Sequence, residues 1–259
     1  MEPQARDTYR ALAERLKYAK RICVLTGAGA SKESGVPTFR EADGLWNKFK
    51  PEELANVNAF IQNPALVWEW YSWRRELMGK VKPNQGHFAL AELEKLLQSF
   101  TLVTQNVDNL HRLAGSVNVV ELHGNIQRNK CHDCGEIFTP DDKRAKFEFF
   151  EGELPRCPVC KTGLLRPDVV WFGEMLPEEA IEIAVLEAEH SDVYLSIGTS
   201  SVVYPAAGLP QYAKETGAFL VEINPMATDL SGFADMVIRE PSGIALPEIV
   251  KELKSLELS

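Results

Sequence analysis

A chain of 259 residues, 45% of them hydrophobic, is long enough to bury one sizeable core and still carry a smaller lobe. Its formal net charge of −9, from 28 Lys and Arg against 37 Asp and Glu, argues against nonspecific nucleic-acid binding, which needs a clustered basic face. No apolar run approaches the roughly 18 residues of a membrane span, and no internal repeat or low-complexity tract is visible, so no membrane association is expected.

In chain order, residues 7–20 place Leu12, Leu16 and Ala19 at helical spacing among charges. The same segment, with Arg6, Arg10, Glu14, Arg15, Lys17, Lys20 and Arg21, lacks the apolar stretch of a signal peptide, so a cytoplasmic location is expected. Ile22-Cys23-Val24-Leu25-Thr26 reads as a short strand with Cys23 buried in it. Further strands are predicted over Phe100–Thr104, 117–122, Val193–Ile197 and 218–223, with helices over 86–98, 177–189 and 205–215 between them. This alternation predicts an α/β fold in which a parallel, Rossmann-like sheet is covered on both faces. Two segments break the rhythm: 51–80, rich in Trp and helix formers, and 126–166, which holds most of the cysteines. They are expected to form a smaller lobe from a helical module and a zinc module, with a ligand cleft between the lobes. The expected division is a large lobe of about 1–47, 81–125 and 167–259, and a small lobe of about 48–80 and 126–166.

Cys131, Cys134, Cys157 and Cys160 form two C-x-x-C pairs at the spacing of a zinc ribbon. Disulfides fit poorly in a reducing compartment, and a redox motif would leave one pair idle. Four thiolates fill the coordination shell of Zn²⁺, so such an ion is structural and the chemistry lies elsewhere. His132, between two ligands, is read as a solvated knuckle residue.

Gly27-Ala28-Gly29-Ala30-Ser31 follows the first strand, where small residues let backbone N–H groups approach a pyrophosphate. The third glycine, Gly35, comes too late for the G-x-G-x-x-G fingerprint, and many such turns only connect a strand to a helix. Thr104-Gln105-Asn106-Val107-Asp108-Asn109-Leu110-His111 ends another strand; single Asn or Asp residues there usually cap helices, but three in four residues suggest a polar pocket. His123, in Glu121-Leu122-His123-Gly124, falls at the hinge between lobes as a candidate general base. His87 and His190 are read as structural histidines.

Taken in order, these motifs resemble the sirtuins, NAD-dependent protein-lysine deacylases. The likeness runs from Gly27 through Phe39-Arg40, Thr104 to Asp108, His123-Gly124 and the four cysteines. It continues through Arg166-Pro167-Asp168-Val169-Val170-Trp171-Phe172-Gly173-Glu174, Gly198-Thr199-Ser200 and Glu222-Ile223-Asn224. The resemblance implies that Gly27, Ala28, Gly29, Ala30, Thr38, Phe39, Arg40 and Trp46 line an NAD pocket, and that Gln105, Asn106, Val107 and Asp108 surround the nicotinamide and its ribose. It further implies that Gly198, Thr199, Ser200, Asn224, Pro225, Met226 and Ser242 hold the adenosine half. Val169, Val170 and Phe172 would belong to a strand that pairs with an acyl-lysine peptide. In the implied mechanism the acyl oxygen attacks C1′ of the nicotinamide ribose and nicotinamide leaves. His123 then deprotonates a ribose hydroxyl, and water releases lysine and O-acyl-ADP-ribose. NAD is thus a consumed cosubstrate.

Tyr71 and Arg74 stand at i and i+3, sharing a helix face. The stretch resembles the signature of class III sirtuins, whose phenol and guanidinium bind a terminal acyl carboxylate. Desuccinylation, with demalonylation and deglutarylation, is therefore expected, with deacetylation as a second activity and a plain deacetylase as the alternative. Arg75 is expected to be an exterior charge. A dehydrogenase should show the regular glycine fingerprint. A zinc-ribbon nucleic-acid module should not mix Arg128, Lys130, Lys143, Arg144 and Lys146 with Asp141, Asp142, Glu148, Glu151 and Glu153. The sequence leaves the oligomeric state open, with a monomer plausible.

Overall fold

The computed structural model describes residues 3–36, 51–145, 149 and 152–257. Thr38, Phe39, Arg40 and Trp46 lie outside the described residues. A six-stranded parallel sheet has the order β3-β2-β1-β7-β8-β9, from β1 (Ile22–Thr26), β2 (Phe100–Thr104), β3 (Val119–Glu121), β7 (Val193–Ile197), β8 (Phe219–Ile223) and β9 (Met236–Ile238). β1, β2 and β7 are buried at every residue, as expected of strands covered on both faces.

The two faces are read directly from the alternation along each strand. Ile22, Val24, Leu102, Leu195 and Val221 point to one side, where they meet α1 (Pro3–Tyr18), α5 (Gln85–Leu96) and α9 (Ser242–Glu257). Tyr9, Leu12, Ala13 and Leu16 supply the buried stripe of α1. Cys23, Leu25, Val103, Tyr194 and Leu220 point to the other side, against α7 (Glu178–Glu189) and α8 (Leu209–Glu215). Burial raises the Cys23 thiol pKa far above its ordinary value. The predicted helix over 205–215 is a 3₁₀ turn, Ala206–Gly208, followed by α8.

The chain builds outward from β1 to β2 and β3, leaves the sheet, and returns as β7 on the other side of β1. The order therefore reverses between β1 and β7, and the crevice at their C-terminal ends is where open α/β sheets take ligands.

The excursion forms a second, antiparallel sheet of order β5-β4-β6, from β4 (Gly124–Cys131), β5 (Ile137–Phe138) and β6 (Leu165–Val169). The short helices α2 (Pro51–Leu54) and α3 (Val57–Gln62), with α4 (Pro64–Met78), pack on it. One core serves both segments: Phe60, Val67, Trp68, Trp70 and Tyr71 meet Ile126, Phe138, Leu165 and Trp171. His132 is not a solvated knuckle residue; its ring is half-buried, 5.5 Å from that of Phe60. A zinc-knuckle side chain thus helps glue the ribbon to the helices.

Arg75 corrects the sequence reading more sharply. It donates from Nε to Ile126 O at 2.7 Å, and from one terminal nitrogen to Arg128 O at 2.9 Å and Asn129 Oδ1 at 2.7 Å. Nothing in the helical spacing of 71–75 reveals these acceptors, because two are main-chain carbonyls in an irregular stretch of a distant strand and the third is the side-chain amide that follows it.

Candidate active site

The glycine turn after β1 is a 3₁₀ helix, Ala28–Ser34, not the start of an α-helix. Packing within the chain already requires its glycines to be small. Gly29 N–H donates to Gly198 O at 2.8 Å, and a Cβ on Gly29 would fall 2.6 Å from that oxygen. The two loops at the switch point thus interlock backbone to backbone, which brings Gly198 and Thr199 beside Gly27.

Ser31 is the buried centre of a polar network. His87 Nδ1 accepts the Asn84 N–H in a capping box, which leaves the proton on Nε2 to donate to Ser31 Oγ at 3.3 Å. Asn106 Nδ2 donates to the same oxygen at 3.1 Å, and Ser31 passes its own proton to Asp108 Oδ2 at 2.7 Å. Every hydrogen-bonding capacity of the serine is used. Burial raises the Asp108 pKa, opposed by Ser31, the Leu110 N–H and the nearby Arg74 charge. Asn106 is held further by Gly27 O at 3.0 Å.

A second buried histidine lies below. His111 Nε2 bonds Thr26 Oγ1 at 2.9 Å, Thr26 donates to Thr104 Oγ1 at 2.8 Å, and Thr104 accepts the Asn106 N–H at 3.0 Å. The His87 and His111 rings lie 4.7 Å apart, and burial pushes their pKa values down to about 4 and about 3. Both are neutral in the fold, while an unfolded histidine titrates near 6.5. As pH falls through 6.5 the unfolded chain takes up protons that the native chain refuses. Stability should then drop by up to about 1.4 kcal/mol per pH unit per ring. Urea midpoints measured between pH 7 and 5 test this, since His111→Asn should flatten the slope; an unchanged slope would clear the ring of that role.

A belt of bonds crosses the strand ends. His123 Nδ1 lies 2.8 Å from Gln105 O, Gln105 Nε2 donates to Thr199 Oγ1 at 3.0 Å, and Asn224 Nδ2 donates to Thr199 O at 2.8 Å. A carbonyl only accepts, so Nδ1 carries the His123 proton and Nε2 keeps its lone pair. Burial lowers the His123 pKa, with the Gln105 carbonyl opposing. The ring is half-buried at the lobe hinge. Gly124 follows it at φ +78°, with a would-be Cβ 2.2 Å from Asp168 O, so β6 passes directly under the turn that aims His123.

Beyond Asn224, Pro225 and Met226 are exposed. Their loop is buckled by Glu222, whose Oε2 accepts from Ser231 Oγ at 2.7 Å and from Arg239 at 2.6 Å; Arg239 also reaches Asn224 O and Met226 O at 3.2 Å. Ser242 Oγ is buried at the start of α9 with no protein partner among the described residues. That orphan hydroxyl fits a ligand atom. Ala28, Ala30, Val107 and Ser200 lie on these same strand-end loops. Ser31, His111, Glu222 and Arg239 were given no role by sequence reasoning, although Ser31 and Glu222 lie inside matched motifs and His111 ends the polar stretch that starts at Thr104; Arg239 carried no signal.

The Val169–Phe172 segment differs from the expected strand, which ends at Val169. Val170 N–H donates to His123 O at 2.9 Å, Trp171 N–H to Glu174 Oε2 at 2.8 Å, and Phe172 N–H to Ala55 O at 2.9 Å. The buried Arg166 clamps Glu174 bidentately at 2.6 and 2.8 Å and stacks 3.2 Å from the Trp171 ring centroid. Trp171 Nε1 in turn donates to Tyr71 Oη at 2.8 Å. Tyr71 is fully buried, and the Arg74 guanidinium lies 4.8 Å from the Trp70 ring and 5.3 Å from that of Tyr71.

The four cysteine Sγ atoms lie within 4.8 Å of one another, with Cys131–Cys160 at 3.6 Å and Cys134–Cys157 at 3.8 Å. A tetrahedron of thiolates about 2.3 Å from zinc has edges of about 3.8 Å, so the cluster fits the ion. N–H groups of Cys134, Val159 and Gly163 point at the sulfurs; Gly163 leads in lowering the Cys160 pKa to about 6, toward the thiolate that a metal binds, whereas burial raises the Cys131 thiol to about 12.

Fold and site together define a two-lobed α/β protein with a crevice at a sheet switch point, a histidine at the hinge and a four-cysteine cluster of zinc-ribbon type beside it. The Sir2 family profile matches residues 27–205, and the chain belongs to that family. It is 50% identical to the "NAD-dependent protein deacylase" of Aquifex aeolicus, over 90% of this chain and 95% of that one. It is also 50% identical to the "NAD-dependent protein deacylase 2" of Pyrobaculum aerophilum, over 94% and 95%. Among solved structures, a Sir2 homolog–NAD complex superposes with a TM-score of 0.87 at 45% identity, covering 95% of this chain and 94% of that one. No helix among the described residues is long and apolar enough to cross a membrane.

Proposed function

We infer that this protein is an NAD-dependent protein-lysine deacylase with a structural zinc. The observation that carries the reading is the His123 tautomer: Nδ1–H is committed to Gln105 O, so Nε2 is the basic atom at the hinge. His123 takes the proton from a ribose hydroxyl of the NAD-derived intermediate. Gln105, Asn106 and Asp108 surround the nicotinamide ribose, while Thr199, Asn224 and Ser242 hold the adenosine end. The zinc stays apart from this chemistry, because its four thiolates leave no open position.

The finer reading is that acidic acyl groups, succinyl with malonyl and glutaryl, are preferred over acetyl. Tyr71 Oη accepts from Trp171 and from Arg74, so its own proton remains for a ligand oxygen. A carboxylate there gains the phenol and a guanidinium whose burial already lowers its pKa. Two charge-assisted bonds of about 1.5–3 kcal/mol each correspond to tenfold or more in preference. Because the Val170–Phe172 N–H groups are engaged internally, main-chain pairing with a peptide falls to carbonyls of this segment.

Matched acetyl, malonyl, succinyl and glutaryl peptides, followed by mass spectrometry, test the preference. Tyr71→Phe with Arg74→Met should cut succinyl turnover by about tenfold or more and spare acetyl turnover. Equal losses on both would reduce the pair to fold support.

A further inference from the structure

Pairing of β4 with β6 jumps from Asn125↔Asp168 to Asn129↔Pro167, so Ile126, Gln127 and Arg128 bulge out with no residue opposite. A bulge of that size leaves carbonyls without ladder partners, and a buried carbonyl needs a donor. Arg75 supplies it. Its guanidinium fork reaches Ile126 O, Arg128 O and the Asn129 side chain, and stacks 5.4 Å from the Trp68 ring. The bulge starts three residues after His123, and Ile126 N–H also donates to Val107 O at 2.9 Å, inside the proposed nicotinamide loop. Arg75 directly follows Arg74 and lies one helical turn beyond Tyr71.

We propose that Arg75 is a positioning residue that registers α4 on the β4 bulge, so that Tyr71 and Arg74 face the channel served by His123, and thereby sets acyl-group selectivity. The proposal rests on the acidic-acyl reading above. Its geometry is specific to arginine: three acceptors in different directions match a planar fork, whereas a lysine ammonium presents one point of attachment. Loss of the fork lets α4 shift by a fraction of an ångström relative to the bulge. A carboxylate that must meet both a phenol and a guanidinium suffers more from such a shift than a methyl group does.

Arg75→Lys and Arg75→Met are compared with the native protein by kcat/KM for succinyl and acetyl peptides, KM for NAD, zinc content and melting temperature. If Arg75→Met fails to fold, Arg75→Lys, which keeps the charge, still gives the reading. The succinyl/acetyl ratio should fall about tenfold in Arg75→Lys, with KM for NAD and zinc content unchanged. In an Arg74→Met background the same change should leave the ratio where it is, because the two residues act on one interaction. Equal losses on both peptides, or a ratio shift that persists without Arg74, would overturn the proposal while leaving the acidic-acyl reading intact. A native protein with no succinyl preference would sink that reading first, and this one with it.

Discussion

Replacing His123 with alanine should leave a folded, zinc-loaded protein whose deacylation rate falls by about 10²- to 10⁴-fold. Folding should survive because among the described residues the ring makes one polar contact, to Gln105 O, and is not part of the sheet's two apolar layers. Catalysis should not survive, because that contact is what leaves Nε2 basic and no other histidine is available there. His87 and His111 are buried and committed to Ser31 and Thr26, His132 sits in the cysteine knuckle against Phe60, and His190 is exposed at the end of α7 with its ring on Leu186 O. The pH profile adds a second constraint. Burial holds the His123 pKa below 6.5, so the neutral ring prevails at pH 7 and rate should decline only as pH drops beneath that value. An acid limb lying above 6.5, or a variant with retained turnover, would place the base elsewhere.

Zinc removal is expected to have the largest effect on structure. Cys131 and Cys157 are themselves buried in the cluster that contains Trp68, Tyr71, Phe138 and Trp171. Stripping the ion leaves four mutually repelling thiolates or unpaired thiols at the edge of that cluster, and structural sites couple metal to folding by about 10 kcal/mol or more. The loss should spread from the ribbon to the proposed acyl site at Tyr71 and Arg74, because Trp171 is bonded to Tyr71 and Trp68 Nε1 to Leu165 O at 2.9 Å. A strong chelator should therefore collapse the near-ultraviolet circular dichroism of the tryptophans and abolish deacylation. Activity and melting temperature that survive complete zinc removal would show that the ribbon folds without its ion.

The sequence carried the parts of this architecture that depend on local pattern. Phe100–Thr104 and Val193–Ile197 are strands at the expected bounds, because uninterrupted apolar runs between turn residues have few alternatives. The cysteine spacing pointed to the ribbon, and the four sulfurs lie within 4.8 Å of one another, as a shared ion requires. What stayed hidden depends on pairs far apart in the chain. The glycines of the first turn also pack on Gly198 and Thr199, and Arg75 answers to carbonyls 51 and 53 residues away. Ser31 looked like a small turn residue, although three side chains meet on its oxygen. The backbone between Val169 and Phe172 reads as a plain strand in sequence, yet its N–H groups are already spent on His123, Glu174 and Ala55.

The central claim is that His123 works on a nucleotide consumed in each turnover. Purified protein given an acyl-lysine peptide, with and without NAD, tests it by quantifying free lysine peptide, nicotinamide and O-acyl-ADP-ribose in the same sample. One nicotinamide and one O-acyl-ADP-ribose per lysine released, and no reaction without NAD, are the predicted result. Deacylation at full rate in nucleotide-free buffer, with free carboxylic acid as the product, would contradict it.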